Sequence, residues 1–331
     1  MFFFANLRRG TTSGVIFGSA SSWSVVKSGV PQGSVLGPLL FNLFINDISD
    51  NVNSTCVQFA DDILMYRPID CNSDIIHLQD DLQHLSTWSI SNGMSFNTSK
   101  SKIMHISRKR NLALPTYFLA GDQLSAVNSV KYLGVTLSAQ LTWNDHIDSV
   151  TSSANRILGL IRSIAFNASM PAKLCLYKSL VLPVLEYGLP AWLPHTRRQE
   201  DALERVQKRA TQFILGQRIG EMPYHDRLVS LNWSALSNRR NYAVLSFITK
   251  CLYNLVHCDI SDIVVNTRRS DVLTFNHLLA RTQALHLSAT HQFPRLWSDL
   301  NSNVRNSLIL QPLSSFLNTL KHTVLFPDPV E

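Results

Sequence analysis

The apolar positions of this chain keep changing rhythm up to about residue 140 and hold one rhythm afterwards. Residues 14–28 alternate loosely (Val15, Phe17, then Val25 and Val26) among Gly and Ser, which predicts a hairpin ending near Ser28. Val35, Leu36, Leu39, Leu40, Leu43 and Phe44 recur at helical spacing along one face. Ser34 is placed to cap that helix, which is predicted to run to about Asp50, and Pro38 falls in its first turn, where proline is tolerated. Val57 and Phe59, then Ile63, Leu64 and Tyr66, flank Asp61-Asp62 in the manner of strand, tight turn and strand. Ile75, Leu78, Leu82, Leu85 and Trp88 predict an amphipathic helix that ends near Asn92-Gly93. Ile103, His105 and Ser107 alternate with Met104 and Ile106 as in a strand. Tyr117–Leu119 and Val130–Leu137 predict further strands, with a turn at Gly121-Asp122.

From Trp143 onward the pattern is helical. Ala154, Ile157, Leu158, Ile161, Ile164 and Ala165 form one stripe, and residues 171–188, 196–215 and 234–257 predict more helices. Residues 293–325 predict one or two packed helices, whereas 259–290 show weak periodicity and no element is assigned there. No strand pattern recurs after about residue 140. The expected class is therefore α+β, with a mixed region 1–140, a helical region 141–220 and a C-terminal helical region 221–331.

Composition narrows the function classes. The 331 residues are 45% hydrophobic and 16% charged, which excludes a disordered chain and allows one large or two to three modest domains. The most apolar long stretch, Leu174–Leu193, is interrupted by Lys178, Pro183, Glu186 and Pro190, so no membrane-length segment is expected. The apolar start, Met1–Asn6, precedes Arg8-Arg9, the reverse of a signal peptide, and an intracellular, soluble protein is expected. Five cysteines at irregular spacing exclude a secreted disulfide framework. Cys251, His257 and Cys258 match no zinc spacing, and buried thiols are the expectation there. A formal charge of +7 favours an acidic partner, of which nucleic acid is the commonest.

Two features carry candidate chemistry. Asp61 and Asp62 are adjacent carboxylates between apolar strands. They repel each other, and either solvent at a hairpin turn or a divalent cation offsets that repulsion. Arg198, Arg205 and Arg209 share one face of a predicted helix, where they suit either a phosphate backbone or plain solvation; Glu200, Asp201 and Glu204 dilute the charge.

Four motifs in order resemble the reverse transcriptases of non-LTR retrotransposons, in particular the jockey and CR1-like group. Residues 28–41, from Ser28-Gly29-Val30-Pro31-Gln32-Gly33-Ser34 to Phe41, resemble motif B. Phe59-Ala60-Asp61-Asp62 resembles motif C, with Phe in place of the commoner Tyr. Phe96-Asn97-Thr98-Ser99-Lys100-Ser101 resembles motif D, and Tyr132-Leu133-Gly134-Val135 the primer-grip turn, followed by the usual Trp143 and His146. Leu182–Gly188 and Phe293–Leu300 also resemble this group.

The resemblance implies a polymerase palm over 1–140 and a thumb-like helical region after it. It implies RNA template, DNA primer and deoxynucleotides as partners, with Mg²⁺ as cofactor. Asp61 is then a metal ligand with Asp62 beside it; Gln32, Gly33 and Lys100 face the nucleotide and template; Tyr132, Leu133 and Gly134 hold the primer. The family's motif A, a further metal-binding Asp in an apolar strand, is not found, because no acidic residue precedes Asp47. The expectation is a fragment that lacks fingers and motif A, leaves an apolar surface bare beside the acidic hairpin, and does not polymerise alone. A non-catalytic nucleic-acid-binding remnant and a helical scaffold protein are the alternatives.

Overall fold

The computed structural model describes residues 2–6, 11–16, 19–20, 22, 24–25, 29–30, 33–107, 114–218, 220–258, 260–261, 264–265, 274–275 and 288–326. The chain forms two compact units. One comprises Met1–His105 and Lys109–Val127, the other Ile106–Arg108 and Asn128–Glu331. Mixed helix and small sheets make up the fold, in agreement with the α+β expectation.

In the first unit, β1 (Phe2–Asn6) pairs antiparallel with β2 (Thr11–Ile16), from Phe2 opposite Val15 to Asn6 opposite Thr11. Short strands β3 (Ser19–Ala20) and β4 (Ser24–Val25) also pair with β2. The sheet thus begins earlier than the alternation at 14–28 suggested, because the Phe and Thr runs before it also favour extended backbone. Helix α1 (Gly37–Phe44) starts two residues later than a Ser34 cap implies, with Leu36 at the cap position and the Gly37 N–H donating to Ser34 Oγ at 2.9 Å. It stops at Phe44 and continues as turns to Asn51, short of the expected Asp50. Asn46, Asp47, Ser49, Asp50 and Asn51 are residues whose side chains compete for backbone groups and favour turns over helix.

The acidic hairpin follows as β5 (Thr55–Phe59) and β6 (Asp62–Tyr66). Helix α2 (Asn72–Ser91) buries Leu78, Leu82 and Leu85 as its periodicity predicted, and Gly93, at φ +66°, turns the chain just beyond it. At its start the Asp74 carboxylate accepts from the N–H groups of Asp70 and Cys71 and from the Cys71 thiol. The thiol contact first, and then those amides, hold this carboxyl down at about 2. The expected strand over 103–107 shrinks to β7 (Lys102–Ile103), which pairs in parallel with β10 (Ser125–Ala126). Between them, β8 (Phe118–Leu119) and β9 (Asp122–Gln123) form a hairpin over the Ala120–Gly121 turn. The unit's core is small: Leu78, Leu82, Tyr117, Leu119 and Leu124, with Met65, Ile75, Phe96 and Ile103 packed on it.

The second unit opens with the hairpin β11 (Ser129–Tyr132) and β12 (Val135–Ser138), then α3 (Asn144–Ile164). The helix expected over 171–188 is built in three parts: α4 (Met170–Leu176), a π turn (Tyr177–Val181) and α5 (Leu182–Glu186). Pro183 has no N–H to give to a carbonyl one turn back, and the wider turn lies immediately before it. Next come α6 (Arg197–Leu215), α7 (Tyr224–Leu231), which periodicity did not reveal, and α8 (Leu236–Leu252). The expectation of no further strand is corrected by β13 (Val264–Val265), which pairs with β14 (Thr274–Phe275). Two-residue strands are too short to show alternation. Residues 289–325 form three helices rather than one or two: α9 (Ala289–Ser298), α10 (Ser302–Leu310) and α11 (Leu313–Leu325). One core joins α3, the π turn and α6 through Leu158, Ile161, Tyr177, Val181, Leu203 and Val206. A second joins α8, α9 and α11 through Val244, Ile248, Phe293, Trp297, Phe316 and Leu320.

Candidate functional site

Asp61 lies in the two-residue loop of the β5–β6 hairpin, and Asp62 opens β6 opposite Phe59. Both carboxylates are exposed. Ala60, beside them, has φ +51°, a left-handed backbone that usually belongs to Gly, so the acidic tip is a strained turn. Residues opposite one another in an antiparallel pair share a face, and side chains alternate. One face of the hairpin therefore carries Val57, Phe59, Asp62, Leu64 and Tyr66, and the other Cys56, Gln58, Ile63 and Met65. The second face is half-buried, with Met65 on the small core. The first is mostly exposed: Leu64 is half-buried, but Phe59 is 60% and Tyr66 54% exposed. A carboxylate thus stands on an uncovered apolar strand face. Among the described residues no third His, Cys, Asp or Glu joins the pair in a metal-ligating group, and Cys251, His257 and Cys258 form no such group either. Of those two thiols, Cys251 is buried as expected and Cys258 is exposed.

The base of this hairpin is anchored by Asp81, which is 1% exposed on the core-facing side of α2. Its carboxylate accepts from the Asn53 N–H at 2.9 Å, the Ser54 N–H at 2.8 Å and the Ser54 hydroxyl at 2.5 Å. The sequence signal for this positioning residue was a charge on an otherwise apolar stripe.

Two other expected site residues lie in the same unit. Gly33 is an exposed turn residue at φ +78°, with open space where a Cβ would stand. Gln32 lies outside the described residues. Lys100 is exposed at the end of a turn organised by Asn97, whose Oδ1 accepts from the Ser99 hydroxyl and the Lys100 N–H and whose carbonyl accepts from the Ser101 N–H. Thr98 Oγ1 donates to Asp122 Oδ2 at 2.6 Å and fastens this turn to the β8–β9 hairpin.

Tyr132, Leu133 and Gly134 belong to the second unit. Leu133 (φ +44°) and Gly134 (φ +84°) make the tight β11–β12 turn. Tyr187, just past α5, lies against it: its hydroxyl donates to the Leu133 carbonyl at 3.0 Å, and a Cβ on Gly134 would lie 2.8 Å from its ring. Trp192 Nε1 donates to the Tyr187 carbonyl at 2.8 Å and holds that segment in turn. His146, buried on α3, accepts from the Thr136 N–H of β12 through Nδ1 at 3.2 Å and packs edge-on to Trp192 at 4.7 Å. Burial first, and then Lys131, hold the His146 imidazole below its usual range, so it is neutral at pH 7. Tyr187 had no role in the sequence reading; its segment resembled the family, but only the fold brings it to the turn.

Arg198, Arg205 and Arg209 are all exposed on α6, opposite its buried stripe Leu203, Val206, Ala210 and Ile214. Arg205 Nε donates to the Asp201 carbonyl and Arg209 Nη1 to Asn155 Oδ1 at 3.1 Å, so two of the three are held in place without charge neutralisation. A capping box starts the helix, Thr196 Oγ1 accepting from the Gln199 N–H.

Residues 4–137 match the family described as reverse transcriptase (RNA-dependent DNA polymerase). This stretch is similar to reverse transcriptase sequence. The reverse transcriptase match contains Asp61, Asp62, Gln32, Gly33, Lys100 and Tyr132–Gly134, and stops before the arginine face. The relatives agree with the non-LTR retrotransposon resemblance of the motifs. The chain is 30% identical over 200 residues to the "Probable RNA-directed DNA polymerase from transposon X-element" of Drosophila melanogaster, covering 58% of this chain and 22% of that protein. It is 29% identical over 222 residues to that from transposon BS of the same organism, covering 63% and 24%. It is 28% identical over 212 residues to the RNA-directed DNA polymerase from mobile element jockey of Drosophila funebris, covering 60% and 23%. The chain therefore spans less than a quarter of the length of these reverse transcriptases. No helix among the described residues is long and apolar enough to cross a membrane.

Proposed function

We propose that this chain is part of an RNA-directed DNA polymerase, carrying a catalytic carboxylate pair of a palm and a helical, thumb-like surface for the template–primer. The observation that carries this reading is Asp61-Asp62 at the strained tip of a hairpin, inside the stretch that matches the reverse transcriptase family. The pair offers the hard oxygen donors that Mg²⁺ takes, usually one or two carboxylates supplemented by water and substrate phosphate. Asp61 would hold the ion, with Asp62 beside it. Bound Mg²⁺ supplies activation of the primer 3′ hydroxyl and stabilisation of the leaving phosphate oxygen.

The remaining roles fall to single side chains and turns. Gln32 and Gly33 line the nucleotide and template, where the missing Cβ of Gly33 admits close backbone approach. Lys100 neutralises incoming phosphate. The Tyr132–Gly134 turn, braced by Tyr187, holds the primer end. Arg198, Arg205 and Arg209 lie along the nucleic-acid backbone. Two carboxylates, with no third ligating side chain beside them among the described residues, are too few for a two-ion site, so on this reading the chain alone binds template–primer and does not extend it.

The test is primer extension on an RNA template with a DNA primer, in Mg²⁺ and separately in Mn²⁺, with Asp61→Ala and Asp62→Ala alongside. No extension is expected, together with binding that falls steeply with salt. Arg198→Ala combined with Arg209→Ala should weaken it about tenfold and flatten the salt slope by about two. Extension that disappears in both Asp variants would mean that another group completes the site. Binding insensitive to salt, or none, would favour a scaffold role.

A further inference from the structure

The second unit contains a cavity of about 330 Å³, bordered by the π turn, the Asn232–Ser234 loop and α11. No residue of the proposed polymerase site lines it. Its wall is aromatic: the half-buried Trp233 is backed by the buried Tyr177, the two rings stacking at 4.7 Å with their planes 23° apart. Its rim is cationic. Lys178 Nζ stands 5.9 Å from the centre of the Trp233 ring, and α11 contributes Lys321 and His322. Arg239 also lines the cavity, but Glu186 holds its guanidinium, Nη2 to Oε2 at 2.9 Å. No Asp or Glu lines the cavity, and neither Lys178 nor Lys321 forms an ion pair among the described residues. Two wall atoms, Trp233 Nε1 and Ser234 Oγ, are buried with no hydrogen-bond partner.

A cavity this size lies at the lower end of small-molecule sites and suits a ligand smaller than most drugs. An aromatic wall favours a flat π-system; an uncompensated pair of lysines favours an anion beside it. We propose that this cavity binds a single nucleotide unit, its base against the Tyr177–Trp233 wall and its phosphate at Lys178 and Lys321. That the aromatic anion is a nucleotide rests on the polymerase reading. The unit is either a free nucleotide or one unpaired nucleotide of a bound strand.

The test uses the full chain and three probes: dAMP, deoxyribose 5-phosphate and a single-stranded octadeoxyadenylate. Titrations are run on the wild type, on Lys178→Gln with Lys321→Gln, and on Lys250→Gln as a control for charge elsewhere. Both rim lysines are exposed, so unchanged circular dichroism is expected. Binding of dAMP at least tenfold tighter than the base-free phosphate, and weakened at least tenfold by the double variant only, supports a free-nucleotide site. Loss confined to the octanucleotide supports a strand nucleotide. Detectable but equal binding of dAMP and the base-free phosphate overturns the proposal, as does binding that the double variant leaves unchanged. If the octanucleotide still binds in a salt-dependent way while the double variant changes nothing, only the cavity proposal falls; if no probe binds, the polymerase reading falls with it.

Discussion

Gly134 decides the geometry of the turn that is proposed to meet the primer. Its φ of +84° is a conformation that L side chains rarely adopt, and the Tyr187 ring occupies the place of a side chain. Gly134→Ala therefore meets two costs, backbone strain and a 2.8 Å contact with Tyr187 Cε1. Tyr187 is more than half exposed, so its ring can swing away, but it then loses its bond to the Leu133 carbonyl. The expected loss is about 1–3 kcal/mol in urea unfolding. Tyr187→Phe alone should cost only about 0.5–1.5 kcal/mol, the value of one hydrogen bond. A double-mutant cycle separates the two costs: in a Tyr187→Ala background, Gly134→Ala should retain only the strain. An unchanged cost in that background would mean that the ring is irrelevant. The sequence shows a Gly suited to a turn in Tyr-Leu-Gly-Val; it cannot show that Tyr187, 54 residues beyond Leu133, is the turn's partner.

At the scale of elements, local pattern predicts what a segment becomes better than what covers it. The stripe of α2 gave both its helix and its buried face, because its partners Tyr117, Leu119 and Leu124 come from the same unit. The stripe of α1 gave a helix too, with Ser34 two residues ahead of the Leu36 cap position and its Oγ accepting from the Gly37 N–H, yet Leu36, Leu39, Leu40, Leu43 and Phe44 remain exposed. Periodicity reports amphipathic form and is silent on coverage. The acidic hairpin was legible in the same sense. Strand, turn and strand were as expected, but the bare face and the Asp81 anchor follow from packing. Asp81 holds β5 to α2 through three hydrogen bonds at near-complete burial. Asp81→Ala leaves those donors unpaired and should destabilise the first unit by about 2–3 kcal/mol. Guanidinium unfolding followed by circular dichroism measures this. A loss below about 0.5 kcal/mol would mean that water replaces the carboxylate and the anchor is dispensable.

The whole molecule is uneven in how much it buries. Among the described residues the first unit has one core cluster of five residues and leaves most of α1 and of one hairpin face exposed, whereas the second has two larger cores. Buried apolar area is the main favourable contribution to folding, so a unit with the smaller core is expected to be the less stable one. Exposed apolar faces also add nothing to stability until something covers them, and patches of this kind mark interaction surfaces. The first unit, which carries Asp61 and Asp62, should therefore open at lower free energy than the second. Hydrogen exchange across a urea series tests this directly. Amides of α1 and of β5–β6 should lose protection at lower urea than those of α3, α6 and α8. If all five elements lose protection together, the chain unfolds as one cooperative body and the difference in cores does not govern its stability. If they separate, the segment bearing the carboxylates is the least stable part of the chain, and covering its bare faces should raise its protection while leaving α3, α6 and α8 unchanged.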